Sequence, residues 1–191
     1  MLAKAIAFAT EQHASQTRKY TPVPFITHPL RVMHYVIQDP VYGGDDEAAA
    51  IAVLHDVVED CSVDETDEGR LSLALEIGRQ FGLDVELGAV ALTDEYTKAR
   101  YPGLNRAQRK AAELERLENT SDRNRTIKLY DRLCNLEDMI REVEADRGFA
   151  RLYAQESWEL ALALSTVENQ YVSNRVFELA AELRDLTKRE T

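Results

Sequence analysis

Histidine, cysteine and tryptophan are scarce in this chain, and the place where the histidines stop is informative. The 191 residues include four histidines, two cysteines and one tryptophan, and no histidine follows His55. A site with two metal ions is therefore disfavoured, because the second ion would have to be held by carboxylates alone. Cys61 and Cys134 form no recognisable disulfide framework, which favours a reducing compartment and two small buried side chains. We expect a cytoplasmic protein.

Basic residues and long apolar runs are also few in this sequence. Lysine and arginine number 23 against 34 acidic residues, which gives a net charge of −11. Such a surface repels nucleic acid and anionic membranes, so we expect neither as a partner. A polyanionic substrate would need a local basic pocket. The first twelve residues are apolar only with a helical period, which favours an amphipathic helix over a signal peptide or a membrane span.

The chain lacks the alternating pattern of half-buried strands, and apolar residues recur three and four apart almost throughout. We therefore predict an all-α protein, folded as a single domain. Two prolines make 17–24 a loop, Thr27 is expected to cap the second helix, and an Asp after Gly43-Gly44 to cap the third. Tyr153 and Trp158 are expected in the core. The predicted helices cover 2–14, a segment beginning near Thr27, the segment that carries 55–60, 70–81, 84–96, 105–119, 124–145, 148–168 and 170–188.

The run His55-Asp56-Val57-Val58-Glu59-Asp60 is the most informative segment of the sequence. Residues four apart share one face of a helix, so His55 is expected above Glu59, and Asp56 above Asp60. Imidazole and carboxylate donors without a thiolate suit Mn²⁺, Mg²⁺, Fe²⁺ or Zn²⁺. One helix end could then supply both metal ligands and a base, which predicts hydrolysis by metal-activated water.

Two other segments could complete the metal site. His28 lies in a His-Pro-Leu segment upstream, and Asp131 lies on a later helix where Lys128, Asp131 and Asn135 recur three and four apart. Each feature alone has a plainer interpretation, such as a capping pair at His55 and Asp56, or an ion pair between Asp131 and a nearby arginine. Their joint occurrence, each on a predicted helix, favours a shared site.

The order His28, His55-Asp56, Asp131 resembles the metal-binding pattern of the HD phosphohydrolase superfamily. Four stretches narrow the resemblance: HASQTRKYTPVPFITHPLRV, AVLHDVVED, ALTDEYTKARYPGLNRAQRKAAELERL and IKLYDRLCNLEDM. Together they are similar to the hydrolase domain of the RelA/SpoT homologues, especially the small Mesh1-like alarmone hydrolases, over about residues 1–165. The resemblance implies an HD-domain bundle of about eight to ten helices over 1–191, with 166–191 as a C-terminal helical extension.

The resemblance also implies an activity and a role for each site residue. The activity is removal of pyrophosphate from the 3′ position of guanosine tetra- or pentaphosphate, with one divalent ion, for which we expect Mn²⁺. The expected partners are a nucleotide substrate carrying several phosphates and, as an open alternative, a second copy of the chain in a homodimer. The implied metal ligands are His28, His55, Asp56 and Asp131. Glu59 and Asp60 would position or deprotonate the attacking water. The implied substrate contacts are Arg18, Lys19, Lys128 and Asn135.

Several departures from the family pattern leave the substrate open. Tyr130 and Cys134 stand where many relatives have a small residue and a His or Tyr, and the loop at 19–24 differs as well. An adenosine alarmone therefore remains an alternative substrate, and another HD nucleotide phosphohydrolase, such as a nucleotidase, remains an alternative class. A helical module that binds nucleotides without catalysis is a third. No synthetase segment follows Thr191, so we expect no alarmone synthesis.

Overall fold

The computed structural model describes residues 1–19, 21–62 and 67–188, and helices make up most of this part of the chain. The described residues form ten α-helices and one 3₁₀ turn, and their one β pairing is an isolated bridge between Thr17 and Pro24. The predicted all-α class is confirmed. Among the described residues, no helix combines the length and the apolar character needed to cross a membrane.

The chain divides into two compact units, Met1–Glu95 and Tyr96–Thr191. The single HD hydrolase domain over 1–191 therefore stays a prediction, and so does the extension at 166–191, whose last three residues lie outside the described part. The first unit contains α1 (Leu2–Gln12), α2 (Thr27–Gln38), α3 (Asp46–Leu54), α4 (Val57–Asp60), α5 (Asp67–Phe81) and α6 (Leu83–Leu92). The second unit contains α7 (Arg106–Glu118), α8 (Asp122–Arg141), the 3₁₀ turn Val143–Ala145, α9 (Arg147–Leu164) and α10 (Gln170–Leu186).

Helix α3 forms the core of the first unit. Every residue from Ala48 to Leu54 is buried, and the helix packs against α1, α2 and α6. A helix that is apolar on all sides is stable only when neighbours surround it. Gly88 of α6 allows one close contact, because a Cβ there would overlap the side chain of Ile51. Polar side chains of this helix and its neighbours in sequence therefore lie at its two ends.

The ends of the helices in the first unit follow the sequence signals, with one difference. Asp45 caps α3, since its side chain accepts hydrogen bonds from the backbone N–H groups of Glu47 and Ala48, both at 2.9 Å. Thr27 was expected to cap α2 but lies inside its first turn, where its hydroxyl donates to the carbonyl of Pro24 at 2.8 Å. Gly82 links α5 to α6 with a φ of 99°, a conformation that favours glycine.

Helix α8 is the buried centre of the second unit and packs against α9 and α10. The turn between α9 and α10 is held by Asn169, which is fully buried. Its Oδ1 accepts from the Thr166 backbone at 2.8 Å and the Ser173 hydroxyl at 3.0 Å, and its Nδ2 donates to the Leu164 carbonyl at 3.0 Å. This buried amide therefore fixes how α10 follows α9.

Two expectations for the second unit need correction. The helix predicted over 124–145 ends at Arg141 and is followed by the 3₁₀ turn. The prediction that Trp158 belongs to the core was wrong, because this residue is 43% exposed. Its ring lies 4.7 Å from that of Phe177 between centroids. Tyr153 is half-buried. Periodicity placed Trp158 on an apolar stripe, but the packing of α10 leaves part of that stripe uncovered.

Candidate metal centre

The helix that was expected to carry the whole His55–Asp60 run is interrupted at its first two residues. Helix α3 ends at Leu54, α4 begins at Val57, and the backbone at Asp56 has φ −91° and ψ −9°. Successive residues of a regular α-helix point about 100° apart. The break instead brings the two side chains together, with His55 Nε2 at 3.0 Å from Asp56 Oδ2.

His28 adds a third donor to the same place. It lies in the first turn of α2, is buried to 1% exposure, and its Nε2 is 3.5 Å from Asp56 Oδ2. The centroids of its ring and of the His55 ring are 5.4 Å apart. Donor atoms of His28, His55 and Asp56 all lie within 4.8 Å of one another. We call these three residues the His–His–Asp cluster.

The chemistry of the cluster fits a divalent ion. His55 Nδ1 is 2.8 Å from the backbone carbonyl of Ala52, and a carbonyl only accepts, so the hydrogen of a neutral ring lies on Nδ1. The lone pair then lies on Nε2, the nitrogen that faces Asp56. A histidine ligand is commonly oriented in this way, with the other ring nitrogen donating to a carbonyl. Two imidazoles and a carboxylate suit a borderline cation.

Asp131, the fourth predicted ligand, lies on α8 of the second unit and is only 7% exposed. Its Oδ1 accepts a hydrogen bond from Asn135 Nδ2 at 2.6 Å, and its Oδ2 is 3.5 Å from Lys128 Nζ. The stripe of Lys128, Asp131 and Asn135 predicted from their spacing is therefore a contacting group. Arg132 takes no part in it, since this guanidinium lies 4.5 Å from the ring centre of Tyr153 and donates to Ser157 Oγ at 3.3 Å. The role of Asp131 as a ligand stays a prediction.

Glu59 and Asp60, the two predicted acid–base groups, have different surroundings. Glu59 is half-buried, and its Oε2 accepts a hydrogen bond of 2.8 Å from the backbone N–H of Asp94. The carbonyl of Asp94 in turn accepts from Arg70 at 3.1 Å. Asp60 is exposed, and its backbone carbonyl accepts from Gln16 Nε2 at 2.7 Å. A main-chain N–H thus holds the Glu59 carboxylate, whereas Asp60 is an exposed residue.

Arg18 and Lys19, predicted substrate contacts, lie in the loop before α2. Arg18 is half-buried with its guanidinium 5.4 Å from the ring centre of Phe25, and its backbone N–H donates to Val23 at 2.8 Å. Lys19 is exposed. A second backbone hydrogen bond, from Phe25 to Gln16 at 2.9 Å, also joins the two ends of this loop. Both cations belong to the first unit.

Sequence reasoning missed a supporting group next to the cluster. His13 is buried to 2%, its Nδ1 lies 2.7 Å from Gln16 Oε1, and its ring packs on Phe25 at 4.7 Å between centroids. The Phe25 ring lies 6.0 Å from that of His28, so this contact reaches a cluster member. The available signal was the three-residue spacing of His13 and Gln16 just after the end of α1.

Cys61 also contacts His13, and its thiol is neutral. Its Sγ lies 3.3 Å from His13 Nδ1. Burial, followed by the charges of Asp60 and Asp56, raises the pKa of the Cys61 thiol to about 12, so the thiol is neutral. Burial also lowers the pKa of His13, which therefore remains neutral in the fold. Cys134 is fully buried, as expected, whereas Cys61 is half-buried, so the expectation of two buried cysteines is confirmed for Cys134 alone.

Residues 5–160 match the family model described as HD domain, so the chain belongs to the HD-domain family. Its curated relatives narrow this to the Mesh1-like group. The Xenopus tropicalis protein named guanosine-3′,5′-bis(diphosphate) 3′-pyrophosphohydrolase MESH1 is 33% identical over 144 residues, which span 74% of this chain and 70% of that protein. The human protein of the same name is 29% identical over 180 residues, or 94% of this chain and 89% of that protein.

A solved structure shares the fold. It is described as a metazoan orthologue of SpoT that hydrolyzes ppGpp and plays a role in starvation responses. The match covers 95% of this chain and 94% of the other, with a TM-score of 0.71 and 22% sequence identity. The resemblance inferred from four short stretches of sequence thus extends to the backbone of nearly the whole chain.

Proposed function

We propose that this chain is a metal-dependent hydrolase that removes pyrophosphate from the 3′ position of guanosine 3′,5′-bis(diphosphate). The observation that carries the proposal is the His–His–Asp cluster, formed at a helix break in a chain whose Mesh1-like relatives are named for this reaction. The fold alone would not select an activity, because one fold supports many chemistries.

His28, His55 and Asp56 would hold the ion through Nε2, Nε2 and a carboxylate oxygen. A divalent ion in such a site supplies a Lewis acid that lowers the pKa of a water and polarises a phosphoryl oxygen. We propose Mn²⁺ as this ion, since imidazole with carboxylate donors accepts it readily. Asp131, whose Oδ2 lies 3.5 Å from Lys128 Nζ, is the proposed fourth ligand.

Glu59 is the proposed proton acceptor. The hydrogen bond from the Asp94 N–H to Oε2 fixes the Glu59 carboxylate, so this group needs little reorganisation when the proton moves. The proton of the attacking water would pass to this carboxylate. Asp60 is proposed to orient water at the solvent side, in keeping with its exposed side chain.

The remaining proposed roles concern the nucleotide. Arg18 and Lys19 would contact the base or phosphates, Lys128 would neutralise part of the phosphate charge, and Asn135 would contact the sugar. Tyr130 and Cys134, the departures that left the base open, are 1% and 0% exposed. Because both side chains are almost fully buried, these two departures from the family pattern give no support for an adenosine substrate. We therefore propose guanosine as the base. A cytoplasmic location is part of the same proposal.

The direct test is turnover of guanosine 3′,5′-bis(diphosphate) by purified protein with Mn²⁺, with products separated by chromatography. We expect GDP and pyrophosphate in equal amounts, and no reaction after chelation until Mn²⁺ is restored. A parallel reaction with the corresponding adenosine compound and with nucleoside monophosphates tests the alternatives. Release of only orthophosphate, or turnover of monophosphates alone, would replace the proposed activity with a nucleotidase.

A further inference from the structure

The second unit contains a cavity of about 320 Å³ between α9 and α10. Its floor is made of Ala154 and Ala180, both 2% exposed, whose small side chains leave a space between the two helices. None of the residues predicted to bind metal or substrate lines this cavity. We call it the α9/α10 cavity.

One wall of the α9/α10 cavity is aromatic. Trp158 is 43% exposed, and its ring packs on Phe177 at an interplanar angle of 57°. An exposed tryptophan held by a second aromatic ring offers a rigid apolar surface on which a planar heterocycle can stack. Trp158 is also the one tryptophan of the chain, so its fluorescence reports on this place alone.

Three cations line the same cavity as Trp158, in a protein whose net charge is −11. Arg151 is exposed, and the structure shows no ion pair for it within the described residues. Arg184 and Lys188 share one acidic partner, with Asp185 Oδ1 at 3.8 Å from Arg184 Nε and 3.0 Å from Lys188 Nζ. Such exposed pairs are weak, so an anion with more charge than a carboxylate can compete for both cations.

We propose that the α9/α10 cavity binds a nucleotide, with the base against Trp158 and the phosphate near Arg151, Arg184 and Lys188. The cations select an anion, the aromatic ring selects a planar apolar group, and a nucleoside phosphate joins the two. Glu159 and Gln155 also line the cavity and offer polar partners for the edge of a base or for a ribose. The cavity is distinct in its residues from the hydrolytic site proposed above.

The test uses the fluorescence of Trp158 in the full-length protein, titrated with GMP and AMP, which lack a 3′-phosphate for the proposed hydrolysis. We expect saturable quenching by nucleotides, weaker quenching by the nucleoside alone, and competition by inorganic phosphate without quenching. The double variant Arg184→Gln with Lys188→Gln should weaken the apparent affinity about tenfold or more, because it removes two charged donors.

Arg175→Gln is the matched control, since this arginine lies on the same helix and pairs with Glu178 outside the cavity. It should leave the titration unchanged, and the double variant should retain the helical circular dichroism of the parent. Absence of quenching at about 5 mM nucleotide, or equal quenching in the parent and the double variant, would overturn the proposal. Hydrolysis by the double variant should equal that of the parent, which separates this cavity from the proposed hydrolytic site.

Discussion

Helices α3 and α8 are each the buried centre of one unit, but their polar and charged side chains lie in different places. Helix α3 is apolar on all sides, and the candidate metal ligands His55 and Asp56 lie just beyond its last residue. Helix α8 carries Lys128, Asp131 and Arg132 in its middle, at 8%, 7% and 7% exposure. Burial of charge is tolerated there because each charged group contacts a polar or aromatic partner.

Helices α3 and α8 therefore represent two ways in which helices can position polar side chains. A fully apolar helix provides a rigid anchor, and a break at its end turns two consecutive side chains toward one point. A helix with paired charges can hold a buried carboxylate next to a cation. Loss of one partner would then leave the other charged group buried without a counter-charge. Five changes test these two arrangements, beginning with the largest expected effect.

Replacing Asp56 with Ala should abolish turnover, with a loss of about a thousandfold or more, because the His–His–Asp cluster loses its only anionic donor in the first unit. The bound metal, measured by elemental analysis after Mn²⁺ loading and dialysis, should fall in parallel. Asp46→Asn is the control, since Asp46 is an exposed residue in the first turn of α3. A variant at Asp56 that kept both metal and activity would remove the cluster from the mechanism.

Replacing Glu59 with Gln should keep the metal and lower kcat by about two to three orders of magnitude, because an amide oxygen can still accept from Asp94 but cannot take a proton. Asp60→Asn should have a smaller effect, because Asp60 is exposed and its backbone carbonyl bond to Gln16 does not depend on the side chain. Equal losses in both variants would show that the acidic pair acts as one unit.

Replacing Lys128 with Met should lower the free energy of unfolding by about 3 kcal/mol in metal-free protein, because the buried Asp131 carboxylate loses its nearby cation. Arg141→Met, on the same helix, removes an ion pair with Asp138 at 65% and 28% exposure and should cost less than about 1 kcal/mol. Urea denaturation measures both. Added Mn²⁺ should restore stability to the Lys128 variant if Asp131 is a ligand, and an unchanged deficit would contradict that role.

Replacing Gln16 with Ala should reduce kcat about tenfold with little change in KM, because Gln16 joins His13 to the end of α4 through the Asp60 carbonyl. Gln12→Ala, at the end of α1, is the control. Metal content should be unchanged. A fall in stability without a change in kcat would assign Gln16 to folding rather than to positioning of α4.

The smallest expected effect is a dependence of stability on pH through His13. Burial lowers the pKa of His13 below its value in the unfolded chain, about 6.5. The unfolded state therefore binds a proton that the folded state excludes, so stability is fully present above about pH 6.5 and falls as the pH drops below it. His13→Gln should flatten this slope, whereas His34→Gln, at an exposed site, should not. Parallel slopes in all three proteins would contradict the buried neutral state.

Local sequence signals predicted most of the helices because periodicity and caps act over a few residues. The expected cap near Asp45 was confirmed, and the ends of α7, α9 and α10 fall within a few residues of their predicted positions. The break at His55-Asp56 carries no glycine or proline, so propensity could not reveal it. The role of Gln16 was equally invisible, since its partner Asp60 is 44 residues away along the chain.

The sequence by itself determined the all-α class, the HD motif and the donor types, because composition, period and residue identity contain them. Only the tertiary structure decided that donor atoms of His28, His55 and Asp56 lie close together and that Asp94 donates to Glu59. It also decided that Trp158 is exposed and shares a cavity with three cations. These depend on how helices far apart in the chain pack together, and side-chain distances of 3 to 5 Å are set by that packing rather than by local preference.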